Sequence, residues 1–151
     1  MYTNCKKGYN LIMNTSHLTL LTDLYELTMM QGYFKNNTDE TVIFDVFFRS
    51  NPEGAAFSLT AGLAQVIEYI NGLHFTPSDI DYLRSTGLFQ EDFLDYLKDF
   101  RFTGDIYAIP EGTVVFPKEP LLKVIAPIME AQLVETAILT IINHQSLIAT
   151  K

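Results

Sequence analysis

LLKVIAPIMEAQLVETAILTIINHQSLIATK, Leu121 to Lys151, is the stretch whose reading decides the fold. Its first seven residues alternate like a strand and end at Pro127. The residues that follow are almost uniformly apolar between Leu133 and Ile148, which predicts a helix surrounded by protein. Lys123, Pro127, Glu130, Gln132 and Glu135 interrupt the run, so it falls short of the ~18 consecutive apolar residues of a membrane span. Glu135 and Thr136 stand inside the apolar helix, where a carboxylate needs hydrogen-bonded partners. They predict a polar seam against which another domain docks, and His144 on the same helix is expected to hydrogen-bond within the core. The helical pattern reaches Lys151 without Gly, Asn or Pro to end it, so the sequence reads as a portion of a longer protein.

Working outward, GDIYAIP, TVVFP and LLKVIAP are separated by Glu111-Gly112 and Lys118-Glu119-Pro120, and they predict a small antiparallel sheet. Nearer the N-terminus, LLTDLYELTMMQGYF places Asp23 and Glu26 three apart, as a capping box requires. Leu20, Leu24, Leu27 and Gln31 follow at helical spacing, giving a helix from about Asp23 to Phe34 with Tyr25 off its main apolar stripe. TVIFDVFFRS reads as a strand covered on both faces, with Arg49 at its end. SLTAGLAQVIEYINGL reads as a helix stopped at Gly72. FTPSDIDYLRSTG reads as a second, with Thr76 as N-cap and Gly87 closing it, and a third runs from about Gln90 to Phe100. The fold class is therefore α+β. Residues 1–16 read as a loosely ordered extension, with Met13 a possible alternative start, residues 17–127 as an α+β domain, and residues 128–151 as the beginning of a further domain.

The chain has 151 residues, 48% hydrophobic and 19% charged, the composition of a globular protein able to bury a core. Its net charge of -8 disfavours broad attraction to nucleic acid or anionic membranes, so an anionic ligand must meet a local basic site. The lone cysteine, Cys5, forms no internal disulfide and agrees with a reducing, cytoplasmic setting. No phosphate-binding glycine loop, dinucleotide fingerprint, metal-ligand spacing or nucleophile elbow occurs. His17 and His74 are isolated in sequence and read as packing or surface residues.

Three side chains merit functional readings beside structural ones. Tyr25 is either a core aromatic or a platform for a flat heterocycle. Asp23 is a helix cap before it is anything else. Arg49 either pairs with Asp45 or Glu53, or captures a phosphate with its planar guanidinium.

Taken together, LLTDLYELTMMQGYF, FDVFFRSNPEGAAFSLTAGL, FRFTGDIYAIPEGTVVFPKEPLLKVIAP and EAQLVETAILTIINHQSLIATK resemble the N-terminal part of nicotinate phosphoribosyltransferase, from about Leu18 to Lys151. The resemblance implies an N-terminal domain of a type II phosphoribosyltransferase, its last buried helix leading into an α/β barrel that this chain lacks. It implies an enzyme that joins nicotinate to the ribose of phosphoribosyl pyrophosphate, forming nicotinate mononucleotide for NAD synthesis with coupled ATP hydrolysis. ATP and Mg²⁺ would serve the whole enzyme, none bound by this portion alone, and a homodimer would share the active site. By the same resemblance Tyr25 stacks on the pyridine ring, Asp23 supports that site, Arg49 reaches phosphate, and the family's phosphorylated histidine lies beyond Lys151. No catalytic residue and no metal ligand is assigned to this portion, which is expected to be inactive alone. The chain departs from many relatives at NPEGAAF, where Glu53 and Ala55 alter a loop near the presumed site. Two alternatives stay open: a non-catalytic dimerisation module, and a related enzyme acting on nicotinamide or quinolinate.

Overall fold

The computed structural model describes residues 3–4, 17–51 and 54–151. Its elements, in chain order, are β1 (Thr3–Asn4), α1 (Leu24–Lys35), β2 (Thr41–Phe47), β3 (Ser58–Leu59), α2 (Leu63–Gly72), α3 (Pro77–Ser85), α4 (Glu91–Lys98), β4 (Asp105–Ala108), β5 (Val114–Val115), β6 (Pro120–Pro127) and α5 (Ile128–Thr150). The α+β class read from the sequence is the architecture found. Apart from Thr3 and Asn4, the N-terminal extension, with Cys5 and Met13, lies outside the described residues, as does Glu53.

Four strands form one antiparallel sheet in the order β1-β4-β6-β2, and β3 pairs with β5 in a second. In the first, β2 runs against β6 from Thr41↔Pro127 to Val46↔Leu122, with a bulge before Phe47, and β4 meets the other edge of β6 from Asp105↔Ile125 to Ala108↔Leu122. Three C-terminal strands in a single sheet were expected. Instead β5 leaves to pair with β3, a two-residue strand inside a stretch read as helix, because the turn at Glu111-Gly112 carries the chain back over Thr60. The N–H of Gly112 donates to the Thr60 carbonyl at 2.8 Å, a partner outside any local pattern.

Both β4 and β6 approach closely at Gly104, where a β-carbon would lie 2.4 Å from Cβ of Ala126 and 2.7 Å from the carbonyl oxygen of Ile125. Glu130, in the first turn of α5, accepts from the Thr103 N–H at 2.6 Å, the Thr103 hydroxyl at 2.9 Å and the Gly104 N–H at 3.2 Å. The carboxylate thereby ties α5 to the edge of the sheet on which it lies.

Burial along α5 explains its apolarity. Ala131, Leu133, Val134, Ala137, Ile138, Ile141 and Ile142 are all buried, and each such side chain of Val or Leu size contributes roughly 1.5–3 kcal/mol relative to exposure. The last turns depart from the expectation of a fully enclosed helix. Leu147 and Ile148 are exposed, and so is His144, which does not hydrogen-bond within the core, because no neighbouring element among the described residues covers that side of α5. Similarly, β2 is covered on one face only: Val46 is buried while Ile43, 59% exposed, and Phe47 face outward. An all-apolar run looks two-sided in sequence whichever face is covered.

Local chemistry accounts for the remaining helix boundaries. Thr76 caps α3 with a capping box to Asp79 and Pro77 in the first turn, and Gly87, at φ +69°, ends the turn after it. At α2 the cap is Gly62, held at φ +103°, where a β-carbon would also press on the Ile141 carbonyl at 3.1 Å. Glu111 closes that end, accepting from the Gly62 N–H at 2.7 Å, where a carboxylate complements the helix dipole.

Candidate functional site

The first turn of α1 is where the sequence-predicted residues converge. Asp23 is extended (φ -75°, ψ 145°) and caps the helix, and Glu26 at the third helical position returns a hydrogen bond from the Asp23 N–H at 3.2 Å. Leu27 and Met30 point into the core and are buried. Tyr25, one residue before Glu26, points the other way and is 48% exposed, so it is not a core aromatic. Partial desolvation, followed by the carboxylates of Glu135, Glu26 and Asp23, holds its phenol above the ordinary tyrosine pKa. The hydroxyl is therefore neutral at physiological pH and free to act as a hydrogen-bond donor.

Three attachments fix α1 beneath this ring. At its start, Thr136 of α5 donates its hydroxyl to Glu26 at 2.8 Å and its N–H to the same oxygen at 3.2 Å, with Asp23 also 3.2 Å from that hydroxyl. Midway, Gln31 donates to the Leu88 carbonyl at 3.2 Å and accepts from the Gln90 N–H at 2.7 Å. At its end, the Phe34 ring packs against Phe93 and Tyr96 of α4 with centroids 5.7 and 5.2 Å apart. At the polar seam expected around Glu135 and Thr136, Thr136 bonds Glu26 of α1.

Glu26 is 0% exposed, and burial raises its pKa above the usual carboxylate range against the lowering effect of bonds from Thr22, Thr136 and the Asp23 backbone. Thr22 donates its hydroxyl to Glu26 Oε2. In the sequence Glu26 is recognisable only as the capping partner of Asp23. The partner that buries it, Thr136, is far away in the chain, and only the short spacing to Asp23 was visible.

Beside this corner, β2 and α5 frame an open groove of about 480 Å³ lined by Ile43, Phe47, Val134, Ile138 and Leu139, with Glu135 and Asp45 as its polar members. Asp45 pairs with Lys123 at 3.4 Å and not with Arg49. Arg49 is exposed, two residues beyond the end of β2. Its neighbours Phe48, Ser50 and Asn51 line an open pocket together with Asn143, Ser146 and Leu147 of α5. Thr136, against the first turn of α1, is seven to eleven residues earlier in α5, a displacement of about 10–17 Å along the helix axis. The structure brings Asp23 and Tyr25 together and sets Arg49 apart.

The histidines take structural places. His17 bonds Asp79 at 2.6 Å and stacks obliquely on His74, whose Nδ1 lies 2.6 Å from the Gly72 carbonyl. Burial pushes the Asp79 carboxyl up, but the Thr76 hydroxyl and N–H and the His17 ring together outweigh it and hold the pKa below the ordinary value. Among the described residues, no group of three or more His, Cys, Asp or Glu side chains is disposed to hold a metal ion.

Residues 20–143 match the family model of the nicotinate phosphoribosyltransferase (NAPRTase) N-terminal domain. A nicotinate phosphoribosyltransferase (pncB2) of Mycobacterium tuberculosis is 49% identical over 132 residues, covering 87% of this chain and 28% of the relative. The nicotinate phosphoribosyltransferase of Bacillus subtilis is 45% identical over 135 residues, covering 89% and 28%. Among solved structures, human nicotinic acid phosphoribosyltransferase superposes with a TM-score of 0.78 at 34% identity, over 85% of this chain and 27% of that one. Nicotinate-nucleotide pyrophosphorylase from Pyrococcus furiosus, at 20% identity and a TM-score of 0.62, shares the fold. The chain spans about a quarter of the length of the curated relatives it matches.

Proposed function

The chain belongs to the nicotinate phosphoribosyltransferase family, as its N-terminal domain, and from that premise we propose that it is the N-terminal part of an enzyme making nicotinate mononucleotide. The substrates would be nicotinate and phosphoribosyl pyrophosphate, and the product would feed NAD synthesis. The observation that carries this reading is the match over residues 20–143, which includes the exposed first turn of α1 with Tyr25.

Departure of pyrophosphate leaves an oxocarbenium-like ribose carbon that the ring nitrogen must meet in line. Orientation of the base and balance of the phosphate charge are then the protein's principal contributions. A flat pyridine ring is matched by the face of Tyr25, whose neutral phenol adds no charge beside an anionic base. Arg49, planar, exposed and with no ion-pair partner among the described residues, suits a phosphate. Because Tyr25 and Arg49 stand well apart along α5, they would serve different parts of a site, or two sites of a homodimer that completes each active centre with its partner's N-terminal domain.

ATP coupling and Mg²⁺ are part of the same proposal. Both would serve the complete enzyme, with no residue of this chain assigned to them. The enzyme would work in the cytoplasm, and no helix among the described residues is long and apolar enough to cross a membrane.

The test is Tyr25→Ala in the complete enzyme. Tyr25 is half-exposed, so the fold should persist while the KM for nicotinate rises severalfold or more. Unchanged nicotinate kinetics in a folded variant would remove Tyr25 from the site.

A further inference from the structure

We propose that Glu26 is the positioning residue for Tyr25: its carboxylate bridges the start of α1 to the middle of α5 and fixes the direction in which the Tyr25 ring faces. The inference rests on the reading of Tyr25 as the surface that meets the base.

The two oxygens of Glu26 serve different elements. Oε2 accepts from the Thr22 hydroxyl and from the Asp23 N–H at 3.2 Å, both at the entry to α1. Oε1 accepts from the Thr136 hydroxyl at 2.8 Å and the Thr136 N–H at 3.2 Å, both on α5. A mid-helix N–H is ordinarily committed to the carbonyl four residues earlier, so its sharing with a side chain from another helix marks a close and directional contact.

The capping box uses one oxygen of Glu26, and nothing in the apolar packing of α1 calls for the second. Leu27 and Met30 already bury the helix, and a fully enclosed acid is a costly choice where an apolar side chain would pack. The groups around Glu26 do not offset its charge. Asp23 and Tyr25 on α1, Glu135 on α5 and Tyr69 on α2 are acids or phenols, and no Lys, Arg or His pairs with Glu26 among the described residues.

What the bridge adds is direction. Apolar contacts let a helix roll about its axis; the Gln31 bonds oppose that roll midway along α1, and the Oε1 bonds to Thr136 oppose it on the turn that carries Tyr25. A roll of about 10° moves a group ~6 Å from the helix axis by about 1 Å. A misplacement of that size is enough to weaken the stacking of a flat ring on the Tyr25 face. Tyr25 is the neighbour of Glu26 on the same turn, so any roll that Glu26 prevents is a displacement of the Tyr25 ring.

The experiment compares Glu26→Gln, Thr136→Val, Thr136→Ser and Tyr25→Ala in the complete enzyme by steady-state kinetics with each substrate varied. Thr136→Val keeps the shape and removes the hydroxyl donor, so the comparison stands even where Glu26→Gln fails to fold. Positioning predicts that Thr136→Val, and Glu26→Gln where it folds, raise the nicotinate KM at least about fivefold while kcat and the KM for phosphoribosyl pyrophosphate stay within about twofold. Thr136→Ser, which keeps the donor, should restore the parental nicotinate KM. If Tyr25→Ala raises the nicotinate KM and Thr136→Val does not, Glu26 is not a positioning residue although the Tyr25 reading stands. If Thr136→Val alters all parameters alike, or Thr136→Ser fails to rescue, the role is merely structural and the inference is overturned. If Tyr25→Ala leaves the nicotinate KM unchanged, the Tyr25 reading fails and this inference falls with it.

Discussion

Replacing Gly104 by Ala offers the sharpest test of how α5 is seated. The added β-carbon would lie 2.4 Å from Cβ of Ala126, 2.7 Å from the Ile125 carbonyl oxygen and 2.9 Å from Cζ of Phe102. Phe102 can rotate away, but the other two atoms belong to or are fixed by the backbone of β6. Restoring an ordinary carbon contact of about 3.5 Å requires β4 to withdraw from β6 by about 1 Å. Forcing an extra carbon into so tight a place costs about 1–3 kcal/mol, and the rigidity of both obstacles argues for the upper half of that range. Restricting the unfolded chain returns about 0.4–1 kcal/mol, leaving a net loss of about 2 kcal/mol. For a chain of 151 residues that lowers Tm by about 4–8 °C. Thermal unfolding followed by far-ultraviolet circular dichroism reads the shift. Gly32→Ala in α1 serves as the opposite control, since no atom lies within 4 Å of its added carbon and helix propensity favours Ala by about 1 kcal/mol. A Gly104→Ala protein as stable as the parent would show that the strands do not meet as described. The same withdrawal would also strain the bonds from Thr103 and Gly104 to Glu130 that anchor α5.

Asp79 governs an acid-side limit. Its carboxyl is held below the ordinary value in the folded state, so its contribution is present above the ordinary aspartate pKa and is lost as pH falls through the folded one. Asp79→Asn should cost on the order of 1 kcal/mol at neutral pH and flatten that acid-side loss in urea titrations, and an unchanged acid profile would contradict the role given to His17 and Thr76. Glu26 has the opposite sign: its raised pKa gives stability that is full below the ordinary glutamate value and declines as pH rises through the folded one. Urea titrations of Glu26→Gln should therefore show a weaker decline than the parent on the alkaline side of the carboxylate range. Arg49→Ala should change stability by no more than about 0.5 kcal/mol, because the side chain is exposed, while raising the KM for phosphoribosyl pyrophosphate in the complete enzyme. A parental KM for that substrate would return Arg49 to the surface.

Much of this protein follows from local rules. The caps at Asp23 and Thr76, Pro77 in the first turn of α3 and the apolar run of α5 each depend on residues within one or two turns of one another, so sequence alone determined where α1, α3 and α5 begin, though not α2. The α+β class and the resemblance to a family were legible for the same reason: ordered blocks of residues carry them without reference to distance. Pairing was not legible, because an apolar strand does not state its partner. Thus β5 joined β3, and β2 left Ile43 and Phe47 uncovered. Tertiary structure alone decided the fate of the polar groups. Glu26 and Thr136 are 110 positions apart, and His144 sits in an apolar run yet faces outward. Whether a carboxylate is a cap or a buried bridge depends on what lies above it in space. That is a matter of desolvation and hydrogen-bond direction, and a linear pattern records neither.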